Sequence, residues 1–256
     1  MRLAVTLVNF VLGAAYVSIG FLVAYDLIRG WSVRGFSHFG VALCAVAFTC
    51  GSHHLVHGFH VGFEGHVASP LDFMTVLVGL PFGAAFYALR VEAMLGGRGD
   101  RFISGTPPFV TALPLVGVLY LTALYLGLAY ELSGDVDLRW AMAPQLLLVL
   151  IYAIIGYVVL RTQIQNNRTL GGWSMSGGSM AGIFTTCSTM HLVLLVTAAT
   201  GGRVLDPHTT LADMLAVPAG VYFLWMVRGL YRDASRDWSR TMAQEEPELT
   251  GVGSDG

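Results

Sequence analysis

Thr49-Cys50-Gly51-Ser52-His53-His54-Leu55-Val56 and Thr186-Cys187-Ser188-Thr189-Met190-His191-Leu192-Val193 are the two stretches that decide how this chain reads. Each sets a cysteine four residues ahead of a histidine inside a predominantly apolar run. On a helix such a pair shares one face, with Cβ atoms roughly 5–6 Å apart, so a single ion reaches both side chains. Cys187 follows Cys50 by 137 residues. The same offset lays Ser174 on Ser37, Gly177 on Gly40, and Pro218-Ala219-Gly220 on Pro81-Phe82-Gly83. With an offset of 136, Tyr152, Ile155 and Gly156 fall on Tyr16, Ile19 and Gly20, and polar Gln145 falls on polar Asn9. A near-constant offset across three successive segments marks an internal repeat.

Composition sets the environment of that repeat. Of the 256 residues 55% are hydrophobic and 12% charged, which is not the balance of a soluble domain. The apolar residues fall into blocks long enough to cross about 30 Å of hydrocarbon, which takes roughly 20 helical residues. Spans are expected near 4–25, 37–59, 72–94, 108–130, 141–161, 174–197 and 209–230. The first apolar stretch is too long for a cleaved signal peptide. The expected fold class is an all-α membrane protein of seven transmembrane helices in a 3+1+3 parallel internal repeat. Its parts are a first three-helix metal-binding repeat at 1–96, a linking transmembrane helix at 97–136, a second three-helix repeat at 137–232, and a disordered cytoplasmic tail at 233–256. The linking helix returns the second unit to the membrane in the orientation of the first, giving a pseudo-two-fold axis along the membrane normal.

The chain has no lysine, so arginines alone orient it. Arg29, Arg34, Arg90, Arg98, Arg101, Arg161, Arg168, Arg228, Arg232, Arg236 and Arg240 follow the odd-numbered spans, against Arg2, Arg139 and Arg203 on the other side. The positive-inside rule then places the N-terminus outside and the C-terminus in the cytoplasm, in a multi-pass protein of the plasma membrane surrounded by lipid. The net charge of −2 and the lack of a basic patch give no reason to expect nucleic acid. The missing lysine also excludes a retinal Schiff base, and no P-loop, nucleophile elbow or intramembrane carboxylate pair points to an enzyme.

Cys50, His54, Cys187 and His191 are the candidate metal ligands, brought face to face by the pseudo-two-fold as a Cys2His2 set. Thiolates select Cu(I), zinc or iron–sulfur, and imidazole suits copper and zinc. Two thiolates balance one Zn2+ or two Cu+, whereas one Cu+ leaves a net negative charge, and a lone charge at depth costs at least about 2.5–3.5 kcal/mol. Asn9, Tyr16, Gln145 and Tyr152 are the candidates to support the ligands. The bland alternative makes the cysteines small hydrophobes and the histidines packing residues bonded to neighbouring hydroxyls. Haem b held by His54 and His191 is a further alternative, which leaves the matched cysteines without a role. His53, His57 and His60 form a separate stripe toward the outer end of the second span, with His66 in the loop beyond. The stripe reads as interfacial polar side chains, or else as an outer metal-gathering surface. Met190, opposite His53 in the repeat, reads as packing or as an additional soft ligand. Asp72 and Asp213 fall near outer helix ends, where an acid costs little.

Ala15-Tyr16-Val17-Ser18-Ile19-Gly20 and Phe48-Thr49-Cys50-Gly51-Ser52-His53-His54-Leu55 together resemble the three-helix ethylene-binding sensor domain of ethylene receptors and its bacterial relatives. That family carries Ala-Tyr-x-Ser-Ile-Pro in its first helix and Cys-Gly-x-x-His-Leu in its second. The resemblance implies that Cys50 and His54 match the copper-binding pair and Tyr16 the first-helix tyrosine. It implies copper(I) as the cofactor and parallel pairing of units, here within one chain. The family's first-helix acid falls on Asn9, its proline on Gly20 and its glutamate on Leu22. In the second half Cys187 and His191 remain, with Ser188 in place of the glycine. The receptors' kinase has no counterpart in these residues, so a sensor would signal through a separate cytoplasmic output protein.

Overall fold

Serines mark where several helices begin. In the computed structural model, which describes residues 1–66, 68–105, 108–201 and 207–250, Ser37, Ser69 and Ser174 are all N-caps. The Ser37 hydroxyl accepts from the Gly40 N–H at 3.1 Å, and the Ser174 hydroxyl from the Gly177 N–H at 2.9 Å. Ser69 and Asp72 form a reciprocal capping box. Each such cap contributes about 1 kcal/mol by satisfying donors that the first helical turn leaves unpaired.

From these starts the chain forms α1 (Arg2–Arg34), α2 (His38–Phe63), α3 (Pro70–Met94), α4 (Pro108–Glu131), α5 (Ala143–Leu170), α6 (Met175–Ala199) and α7 (Pro207–Thr250). Seven helices among the described residues are long and apolar enough to cross a membrane, as the composition demands. Their surfaces carry large apolar side chains outward, Leu115, Leu119, Tyr157 and Trp225 among them, as lipid contact requires. At 33 residues α1 is roughly 50 Å long and overruns the hydrocarbon at one or both ends. The α7 helix runs to Thr250, past residue 232 where the sequence suggests a disordered tail, and residues 251–256 lie outside those described. Arg203, one of the arginines used for orientation, also lies outside them.

Six helices make the core. The α1 helix packs on α2 and α3, α5 packs on α6 and α7, and the two sets meet where α3 crosses α6 and α7 crosses α2. The α4 helix lies outside them, touching α3 and α6 through Leu124 and Leu128 against Leu71, Val193 and Val196. Between hydrocarbon-solvated helices the hydrophobic effect supplies little drive, so close packing and buried hydrogen bonds must hold the bundle. Glycine permits that closeness at two places. A Cβ on Gly83 would meet Tyr16 Cε1 at 3.1 Å, and one on Gly220 would meet Tyr152 Cε1 at 3.3 Å.

The end of the bundle that holds Arg34, His38 and Met94 is fastened by a small ribbon that the apolar pattern does not announce. Strand β1 (Phe102–Ser104), after α3, pairs antiparallel with β2 (Gly172–Ser174), after α5. Asp100 accepts from the Ser174 hydroxyl at 2.7 Å and from the Ser176 and Arg101 N–H groups at 2.8 Å. Arg90 donates to the Gly99 carbonyl beside it.

Candidate metal centre

Cys50 on α2 and Cys187 on α6 are both buried in the one core that the two halves of the chain share. Each has a tyrosine from the opposite half of the chain near it. Tyr152 of α5 lies 3.1 Å from Cys50 Sγ, and Tyr16 of α1 lines the same small cavity as Cys187. The glycines on α3 and α7 leave the space that these two rings occupy.

The histidines one turn further along lie beside the tyrosines. The Tyr16 and His54 rings are 5.5 Å apart, and the Tyr152 and His191 rings 5.6 Å. Amide side chains set their tautomers. Asn9 donates its N–H to the Val5 carbonyl, so its Oδ1 is the acceptor for His54 Nδ1–H at 2.8 Å. Gln145 donates to Asp213, so its Oε1 accepts from His191 Nδ1–H at 2.6 Å. In neutral imidazole the proton on Nδ1 leaves the lone pair on Nε2, the usual arrangement when an outer hydrogen bond orients a metal-binding histidine. All eight residues expected to ligate or to support the ligands are thus gathered in one place.

Three expectations need correction. Asp213 does not sit at a helix end where water makes an acid cheap. It lies roughly two turns into α7, 1% exposed, bonded to Gln145, with Oδ1 2.7 Å from His53 Nδ1 and 4.0 Å from His191 Nδ1. His53, His57 and His60 are not interfacial side chains either, because packing of α7 and the neighbouring helices encloses them at 1%, 1% and 3% exposure. His53 moreover belongs to the centre rather than to an outer stripe: its ring is 4.9 Å from that of His191. Its Nε2 is buried with no hydrogen-bond partner among the described residues, while Nδ1 is held by Asp213. Burying an imidazole nitrogen unpaired costs about 1–3 kcal/mol.

The donors do not collapse onto one point. Ligand atoms of His53, His191 and Asp213 all lie within 4.8 Å of one another, as do those of His60, Glu64 and His66, and the four-residue Cys50, His54, Cys187 and His191 set is not so tight. The centre therefore has a thiol layer and an imidazole–carboxylate layer, with His191 common to the ligand candidates of both. Beside them is a cavity of about 10 Å³, room for one water-sized guest, lined in part by Tyr16, His54, Cys187, Met190 and Val76. Met190 is buried there, facing the same space as Cys187.

Sequence reasoning missed Asp213 and the place of His53. Neither has a like partner at the 137-residue offset, where Val76 and Met190 stand, so the repeat was blind to both. The signal available was an acid a few residues inside an apolar helix, which is costly and tends to be functional. Comparison of the chain with protein-family models, with curated proteins and with solved structures returns no match.

Proposed function

We propose that this chain is a copper(I)-binding protein of the plasma membrane, a fused tandem of two ethylene-sensor-like units that senses a small ligand or handles copper. In this reading Cys50, His54, Cys187 and His191 are the ligands, and Asn9, Tyr16, Gln145 and Tyr152 orient them. The N-terminus is outside, and a separate output protein meets the arginine-rich cytoplasmic face. The observation that carries the proposal is the burial of Cys50 and Cys187 in one core, Cys50 with Tyr152 of the other half 3.1 Å from its sulfur and Cys187 lining one cavity with Tyr16 and His54 of the other half. The 3+1+3 parallel repeat is supported by contacts that occur in matched couples: α1 on α2 with α5 on α6, α1 on α3 with α5 on α7, and α3 on α6 with α7 on α2.

The donor chemistry fits a soft ion. Two sulfurs favour Cu(I) or zinc, and both imidazoles are oriented with Nε2 as the lone-pair nitrogen. Bound there, copper(I) would supply a site able to take up a small neutral ligand, and the adjoining cavity holds one water-sized guest. Zinc is the alternative ion. Haem b is less well supported, since a cavity of about 10 Å³ beside tightly apposed rings favours a bare ion over a macrocycle.

Elemental analysis tests the reading. Purified protein is expected to carry copper, and Cys50→Ala with Cys187→Ala to remove it. Full retention of metal by that double variant sinks the assignment, and a Soret band in the absorption spectrum would transfer it to haem. Metal loading across the membrane is a second reading, favoured by the buried imidazoles that continue from His53 through His57 to His60. It predicts that cells making the protein change their copper content beyond its own stoichiometry, which a sensor does not do.

A further inference from the structure

The corner between α2 and α3 gathers ionisable side chains that the thiol centre does not use. His60, in the last turn of α2, has Nδ1 2.5 Å from Glu64 Oε2. Gly65, at φ +78, turns the chain back so that the His66 N–H donates to the His60 carbonyl at 3.1 Å. The turn lays the His66 ring nearly parallel to that of His60, with centroids 5.0 Å apart and planes 16° apart. From the first turn of α7, His208 brings a third ring near-parallel to His60, at 6.2 Å and 19°. One donor atom from each of His60, Glu64 and His66 lies within 4.8 Å of the others.

This donor set differs in kind from the buried one. Two imidazoles and a carboxylate, without sulfur, suit a borderline divalent ion such as Zn2+ or Cu2+ better than Cu(I), and the imidazoles disfavour Mg2+ and Ca2+. The surroundings also differ. Glu64 is 47% exposed at its side chain and His208 is exposed, so an ion can reach the group from water, while buried His60 gives it a fixed wall.

We infer that His60, Glu64 and His66 form a second metal site, solvent-facing and selective for a divalent transition ion, with His208 at its mouth. The inference stands on its own geometry and does not require the thiol centre to bind copper. Zn2+ titrated calorimetrically into the full chain in detergent micelles tests it. Glu64→Gln and His66→Ala, both at the solvent-facing edge, are each expected to weaken one binding event at least tenfold, with helical content unchanged by circular dichroism. Cys50→Ala with Cys187→Ala is expected to keep that event. Should the cysteine variant not fold, the difference between the unaltered protein and His66→Ala reads the same equivalent. Zn2+ binding of equal affinity and stoichiometry in the unaltered, Glu64→Gln and His66→Ala proteins overturns the inference. Absence of copper from the purified protein would instead count against the thiol centre alone.

Discussion

Gln145 illustrates how much one side chain settles here. Its N–H is spent on Asp213, so only its carbonyl faces His191, and that choice fixes which imidazole nitrogen holds the proton. Asn9 does the same for His54 through the Val5 carbonyl. Such outer partners typically carry 10–100-fold in metal affinity. Asn9→Leu and Gln145→Leu are each expected to weaken copper binding by about that factor, measured by competition with a Cu(I) chelator. Unaltered affinity in both would show that the amides are mere packing. Both residues were legible in the sequence as polar groups at matched places in apolar spans. Asp213 was not, because nothing local tells an acid early in a helix whether it will face water or a neighbouring helix. Packing of α7 against α2 and α5 turned it inward.

At the scale of elements, the serine caps and the helix spans followed from local chemistry, and the ribbon did not. Three-residue strands carry no periodic signal, and β1 and β2 form because the loops after α3 and α5 come together in space. Asp100 fastens them. Partial burial pushes its carboxyl up, but hydrogen bonds from the Ser174 hydroxyl and from the Ser176 and Arg101 N–H groups outweigh this and hold it below its ordinary 3.8. A carboxyl more acidic when folded stabilises fully above the unfolded value, and that stability is lost as pH falls through the folded one. The ribbon is therefore expected to hold at pH 6 and to weaken below about pH 4. Discounted for exposure, its hydrogen bonds to the carboxylate are worth about 1 kcal/mol. Asp100→Asn should then lower the melting temperature by roughly 2–4 °C at pH 6, and the difference should shrink at pH 3. An equal gap at both pH values would remove the carboxylate from the fastening.

Across the whole molecule, α4 stands apart from the six helices that enclose the thiols, with its packing on α3 and α6. If the proposed tandem is right, the covalent link matters for assembly and not for the centre. Fragments 1–133 and 134–256, produced together, are expected to associate and recover copper, while either alone recovers none. Failure of the paired fragments to bind metal when they do associate would contradict the tandem. Seven membrane helices were determined by the sequence alone, because in hydrocarbon each span must satisfy its own backbone, and apolar length suffices to show it. The Cys-x-x-x-His pairs were legible for a similar reason, since helical spacing puts residues i and i+4 on one face. The repeat already set Cys50 toward Cys187, and what only the tertiary structure decided was the meeting of Asp213 with His53 and of His208 with His60. Each joins residues more than a hundred positions apart, and no local rule of spacing or hydropathy reaches across the gap between packed helices.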